Sequence, residues 1–139
     1  MKKSKLQVDV TYDFDLFGIT SSAKFHKLCW AINQHLGIRL VKKEDYEVLI
    51  KNGASIFFIN SSFKDSSCQI DLFKNKSPDS DLQFITPEYQ HYDFVLKING
   101  LFQTFAEEEL LKQLREVKYI EYIAKLSLDK LKSKDNFLY

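Results

Sequence analysis

The stretch from Thr86 to Gly100, Thr-Pro-Glu-Tyr-Gln-His-Tyr-Asp-Phe-Val-Leu-Lys-Ile-Asn-Gly, constrains this chain more than any other. Pro87 has no backbone N–H and fixes φ at about −65°. The chain therefore enters from a loop or a sheet edge, and a strand begins only beyond it. From Tyr92 the pattern alternates. Tyr92, Phe94, Leu96 and Ile98 share one face, and Asp93, Val95, Lys97 and Asn99 share the other, until Asn99-Gly100 ends it.

Residues 6 to 16 alternate in the same way, Leu6, Val8, Val10, Tyr12, Phe14 and Leu16 against Gln7, Asp9, Thr11, Asp13 and Asp15. This predicts a half-buried strand. Its aspartates line up as metal ligands would, but no glycine-turned loop wraps them, so they read as a solvated face that resists edge pairing. Gly18 is expected to turn the chain. Ser21 or Ser22 then caps a helix with the buried stripe Phe25, Leu28, Cys29, Ile32 and Leu36, closed by Gly37 in the left-handed position. Trp30 falls off that stripe and shares its side of the cylinder with His26 and Asn33. It is a candidate hot spot unless another segment covers it.

A strand is expected at Ile38 to Val41, with Glu44 to Ile50 as a second one or as an edge extension of the first, turned by Asn52-Gly53 into a hairpin with Ile56 to Ile59. The unbroken apolar run in the return strand implies cover on both faces. Ser61 to Ser67 reads as a loop, Cys68 to Phe73 as a strand, and Asn75 to Asp81, with Pro78, as a polar turn. Beyond Gly100, Thr104 and Glu107 form a capping box for a helix with the stripe Leu110, Leu111, Leu114 and Val117. Period two returns from Ile120 to Leu128, giving a last strand with a continued helix as its competitor.

A chain of 139 residues, 45% apolar and 28% charged, has the size and composition of one globular domain over residues 1–139, with 1–5 and 130–139 as candidate flexible tails. No run approaches the roughly 18 apolar residues of a membrane helix. Met-Lys-Lys-Ser-Lys leads into an alternating strand instead of a signal-peptide core, so the expectation is no membrane and a cytoplasmic location. Cys29 and Cys68 lack metal or redox spacing, so reduced buried thiols are expected, with no metal and no cofactor. A net charge of +1 provides no global attraction to nucleic acid, and any such partner has to be met by a local patch.

The element order predicts an α+β fold. We expect a mostly antiparallel or mixed sheet of about six to eight strands, with both helices on one face. Two β-α-β units give it a ferredoxin-like plan with an inserted hairpin or meander.

Three stretches carry a family resemblance: Thr86-Pro87-Glu88 with Tyr92-Asp93-Phe94, Leu28-Cys29-Trp30-Ala31-Ile32-Asn33, and Leu131-Lys132-Ser133-Lys134-Asp135-Asn136-Phe137. Together they make the chain resemble the IPExxxVDY family, small uncharacterised proteins of the Bacteroidetes. Thr86, Tyr92 and Phe94 stand where the family name has Ile, Val and Tyr, while Pro87, Glu88 and Asp93 keep their places. The resemblance implies no reaction, cofactor or substrate. Family genes that lie beside those for ribonuclease III and pyruvate kinase associate it with RNA metabolism or housekeeping.

Three functions follow, in order of preference. The first is a non-enzymatic binding module with a protein partner, using Trp30, His26, Asn33, Glu88 and Asp93. The second is an RNA- or ribosome-associated protein using Lys2, Lys3, Lys5, Lys130, Lys132 and Lys134, the last three in a segment that could also dock Phe137 and Leu138 on the domain. The third is an enzyme using Glu88, His91 and Asp93 as acid–base groups; Glu88 could equally cap backbone donors after Pro87, and Asp93 could pair with a lysine across the sheet. No phosphate loop, nucleophile elbow or HExxH motif is present.

Overall fold

The computed structural model describes residues 14–49, 53–66, 68–79, 83–100 and 105–137. Its elements run β1 (Phe14–Thr20), α1 (Phe25–Leu36), β2 (Val41–Lys42), β3 (Tyr46–Leu49), β4 (Ser55–Phe58), β5 (Asn60–Lys64) and β6 (Cys68–Lys74). A 3-10 turn (Pro87–Tyr89), β7 (Phe94–Gly100), α2 (Phe105–Arg115), β8 (Tyr122–Leu126) and two more 3-10 turns, Leu128–Lys130 and Lys132–Phe137, complete them.

Among the described residues, six strands form one sheet in the order β2-β5-β6-β7-β1-β8, and β3 with β4 forms a separate pair. Every pairing among the described residues is antiparallel. Because β7 and β8 both oppose β1, which lies between them, they run parallel to each other, and β7-α2-β8 is a split β-α-β unit. β1-α1-β2 is the second, reaching across the sheet to its far edge. The fold is α+β, as the pattern predicts.

The sheet is buried on both sides. One face carries Phe17, Ile19, Ile70, Leu72, Phe94, Leu96, Ile98 and Ile123, packed under Leu28 and Ile32 of α1 and Leu110 and Leu114 of α2. The other carries Phe14, Leu16, Phe73, Val95 and Leu126, and meets Phe58, Ile85, Tyr92, Leu131 and Phe137. The second face is thus roofed by the β3-β4 hairpin, the proline lead-in and the 3-10 turns that follow β8. Residues 128–137 close over this face as a clasp.

Residues 119–128 hold a strand, Tyr122–Leu126, and not a continued helix. α1 closes on Gly37 at φ 69°, whose N–H donates to the Asn33 carbonyl, as the glycine requires. Other expectations fail for identifiable reasons. Gly18 does not turn the chain: it sits inside β1, and a Cβ there would lie 2.4 Å from Cδ2 of Tyr92, so it is the gap that receives that ring. Neither Ser21 nor Ser22 caps α1. Its cap residue is Lys24 without a side-chain bond, Ser21 Oγ accepts from Ala23 N, and the Ser22 hydroxyl donates to Glu121. The hairpin does not extend the main sheet, and only one face of β4 is covered: Phe58 is buried while Phe57 is exposed. The stretch from Ser61 that reads as a loop carries most of β5, held between β2 and β6, with the Asn60 amide donating to the Glu44 carbonyl. Residues 6–13 and Thr104 lie outside the described residues.

Candidate functional site

The proline lead-in is built around Asn75, which is fully buried. Its Nδ2 donates to the carbonyls of Tyr89 and Tyr92 at 2.9 Å each, and its Oδ1 accepts from the Thr86 N–H and hydroxyl at 3.0 and 2.8 Å. Its own backbone donates to the Asp93 carbonyl and accepts from Ile85 N–H. Every polar group on the residue is satisfied, and a loop that would otherwise bury lone carbonyls is fixed.

Glu88 and Asp93 leave this lead-in in different directions. Glu88 accepts from Ser133 twice, from its N–H at 2.9 Å and its hydroxyl at 2.6 Å, and so ties the clasp to the turn after Pro87. Partial burial pushes the Glu88 carboxyl up, but the Ser133 hydroxyl and the N–H groups of Glu88, Ser133 and Lys132 outweigh it, and the net shift is downward. Asp93 Oδ2 accepts from Ser21 N–H at 2.9 Å and fixes the approach to α1; among the described residues it makes no lysine pair across the sheet. His91 lies against the Tyr92 ring at 4.2 Å. Glu88, His91 and Asp93 therefore meet three different partners, Ser133, the Tyr92 ring and Ser21. Two of the stretches that carry the family resemblance meet here: Glu88 holds Ser133, and Asn136 Nδ2 donates to the Ile85 carbonyl.

The clasp is held from below as well. Phe137 is fully buried against Phe14 and Phe73. The Lys97 ammonium, 5% exposed and 4.8 Å from the centre of the Phe14 ring, donates to the Phe137 carbonyl at 2.6 Å. Buried Asp71 lies opposite Lys97 in the register, and the Tyr46 hydroxyl donates to the Asn136 carbonyl. Burial, with the Asp71 charge in second place, pushes the Tyr46 hydroxyl up to about 12. These groups were missed because an alternating pattern reports which face a residue occupies, not that another segment will bury that face.

Trp30 is 57% exposed. Beside it, between α1 and the β2 edge, lies a concavity of about 250 Å3. Phe25, Cys29, Leu40 and Ser61 form its floor, and Trp30, His26, Asn33 and Lys42 its rim. Asn33 is committed: its Oδ1 accepts from Leu40 N–H at 2.8 Å and its Nδ2 donates to the Leu40 carbonyl at 3.3 Å, tying the end of α1 to the approach to β2. Burial pushes the Cys29 thiol up against a lowering hydrogen bond with Ser61, so it is neutral and a poor nucleophile. Cys68 is a free, buried thiol as well.

A second groove, about 440 Å3, runs between α2 and β8, but Glu121 and Lys125 in its lining already hold Ser22 and Asp15. Of the expected binding residues, Trp30, His26 and Asn33 share one groove, while Glu88 and Asp93 belong to the lead-in. Lys130 and Lys132 are exposed on the clasp, across the sheet from α1; Lys2, Lys3 and Lys5 lie outside the described residues, as does the side chain of Lys134. No helix among the described residues is long and apolar enough to cross a membrane. A scan against protein-family models finds no match, and a search of curated proteins finds none either.

Proposed function

We propose that this chain is a non-enzymatic binding module that receives a protein partner in the groove between α1 and β2. The observation that carries the reading is the exposure of Trp30 on the rim of an apolar hollow. A large aromatic beside a pocket is the usual anchor of an interface, because burying it gains apolar area at little cost in side-chain entropy. The floor of Phe25, Cys29 and Leu40 is roomy enough for a single side chain. The commitment of Glu88 to Ser133 and of Asp93 to Ser21 supports giving those two residues architectural work and leaving recognition to the helix. In this reading the likeness to the IPExxxVDY family rests on residues that hold the fold: Pro87 opens the lead-in turn, Glu88 and Ser133 lock the clasp, and Asn33 fastens α1.

The test is capture of partners from cell extract on the immobilised protein, with proteins identified by mass spectrometry and nucleic acid by staining. The expected result is a protein retained by the natural chain and lost with Trp30→Ala, whose own thermal unfolding is unchanged because the residue is exposed. Retention of RNA that falls steeply with salt and depends on Lys130 and Lys132 would replace the proposal with the RNA-associated reading.

A further inference from the structure

Residues 21–43 contain five Lys or Arg (Lys24, Lys27, Arg39, Lys42 and Lys43) and no Asp or Glu. The rest of the chain has fifteen basic against nineteen acidic residues, so the small net charge of +1 conceals a division. All five cations are exposed, on the α1 segment or on the segment that carries β2; Lys42 lines the Trp30 groove itself, and Lys27 flanks Trp30 one turn before it on α1. Lys42 reaches Asp45 at 3.8 Å with both side chains well solvated, a contact worth little. Lys24, Lys27, Arg39 and Lys43 make no ion pair among the described residues, and no acidic residue stands in the first turn of α1. His26 adds a ring to the rim beside Trp30.

We infer that the partner presents an acidic peptide segment with one bulky apolar side chain, the apolar group seated against Trp30 and the carboxylates facing Lys27 and Lys42. This rests on the groove reading above and adds the chemistry of its occupant. Charge complementarity assigns the sign, since a cationic rim attracts anionic segments and repels basic ones. The floor decides between a peptide and a nucleic acid. A nucleobase would carry polar edges into a hollow of Phe25, Cys29 and Leu40, where the Asn33 amide is already used by Leu40 and the Ser61 hydroxyl by Cys29. Unpaired polar edges are costly there, whereas an aliphatic or phenyl group has nothing to satisfy.

Trp30 is the only tryptophan, so its emission reports on this groove directly. The probes are a Glu-Glu-Phe-Glu-Glu peptide, its counterpart with Ala for Phe, its counterpart with Gln for every Glu, and oligouridylate. The Phe-Glu peptide is expected to shift Trp30 emission and to bind at least about tenfold tighter than the Ala and Gln versions. Added salt weakens it, and a Lys27→Glu, Lys42→Glu double variant weakens it about tenfold without altering thermal unfolding. A Gln peptide that binds as well as the Glu peptide overturns the acidic partner but leaves the groove in place. No response to any peptide, or tighter binding of oligouridylate, overturns the inference. Partner capture that survives Trp30→Ala removes the groove reading itself, and the two failures are thereby separable.

Discussion

Asn75 and Tyr46 show how single side chains outside any motif hold this molecule. Asn75 satisfies four groups of the lead-in, so Asn75→Ala should cost about 2–4 kcal/mol, more than an ordinary surface change, and should appear as a lowered denaturation midpoint with an unchanged slope. Tyr46 is a titration reporter. With its hydroxyl held protonated up to about 12, it stabilises the fold fully below the ordinary tyrosine range and loses that contribution as pH climbs through about 12. Ultraviolet titration should therefore show a tyrosine ionising near 12, and Tyr46→Phe should remove that contribution. Neither role was legible in the sequence. A polar residue in a turn-like stretch looks the same whether it faces water or collects buried carbonyls, whereas the off-stripe position of Trp30 was legible because helical period alone fixes it.

At the scale of elements, β1 shows where pattern reading succeeds and where it misleads. Its alternation correctly separates Phe14 and Leu16 from Asp15, but glycine is a turn signal in sequence and a clearance in this strand. Gly18→Ala should destabilise by about 1–3 kcal/mol through collision with Tyr92, and the double variant Gly18→Ala, Tyr92→Ala should cost less than the sum of its parts by about 1 kcal/mol or more. Additive costs would show that the ring simply moves aside. The link between lead-in and clasp has its own signature. Because the Glu88 carboxyl is held below its ordinary range, its contribution is present above that range and disappears as pH falls through the lowered value. Glu88→Gln should remove this acid-dependent component and cost about 1 kcal/mol at neutral pH, at the low end because the carboxylate is exposed. β5 was hidden because serines resemble loop residues until a neighbouring strand claims their backbone, as Leu72 claims Ser61.

Across the whole molecule, the helix face and the roofed face are separate cores that share one sheet. Phe137→Ala should cost about 3–5 kcal/mol, and hydrogen exchange should rise first in β3, β4 and the clasp while amides of β1 and β7 under the helices stay slow. Equal loss on both faces would mean the two layers act as one cooperative unit. The α+β plan and both β-α-β crossovers were readable, since each helix needs an apolar partner and each alternating strand a sheet. Of the second roof only the docking of Phe137 was readable, because the other pieces, a hairpin and a proline turn, each look self-sufficient alone.

The clasp also sets the sequence of events during synthesis. β1 leaves the ribosome long before β7 and β8 exist to flank it, and Phe14 and Phe73 lack their lid until residue 137 has followed. A nascent chain interrupted short of that point would leave Phe14 and Phe73 without one of their covering rings, an apolar surface of the kind that makes incomplete chains prone to aggregate.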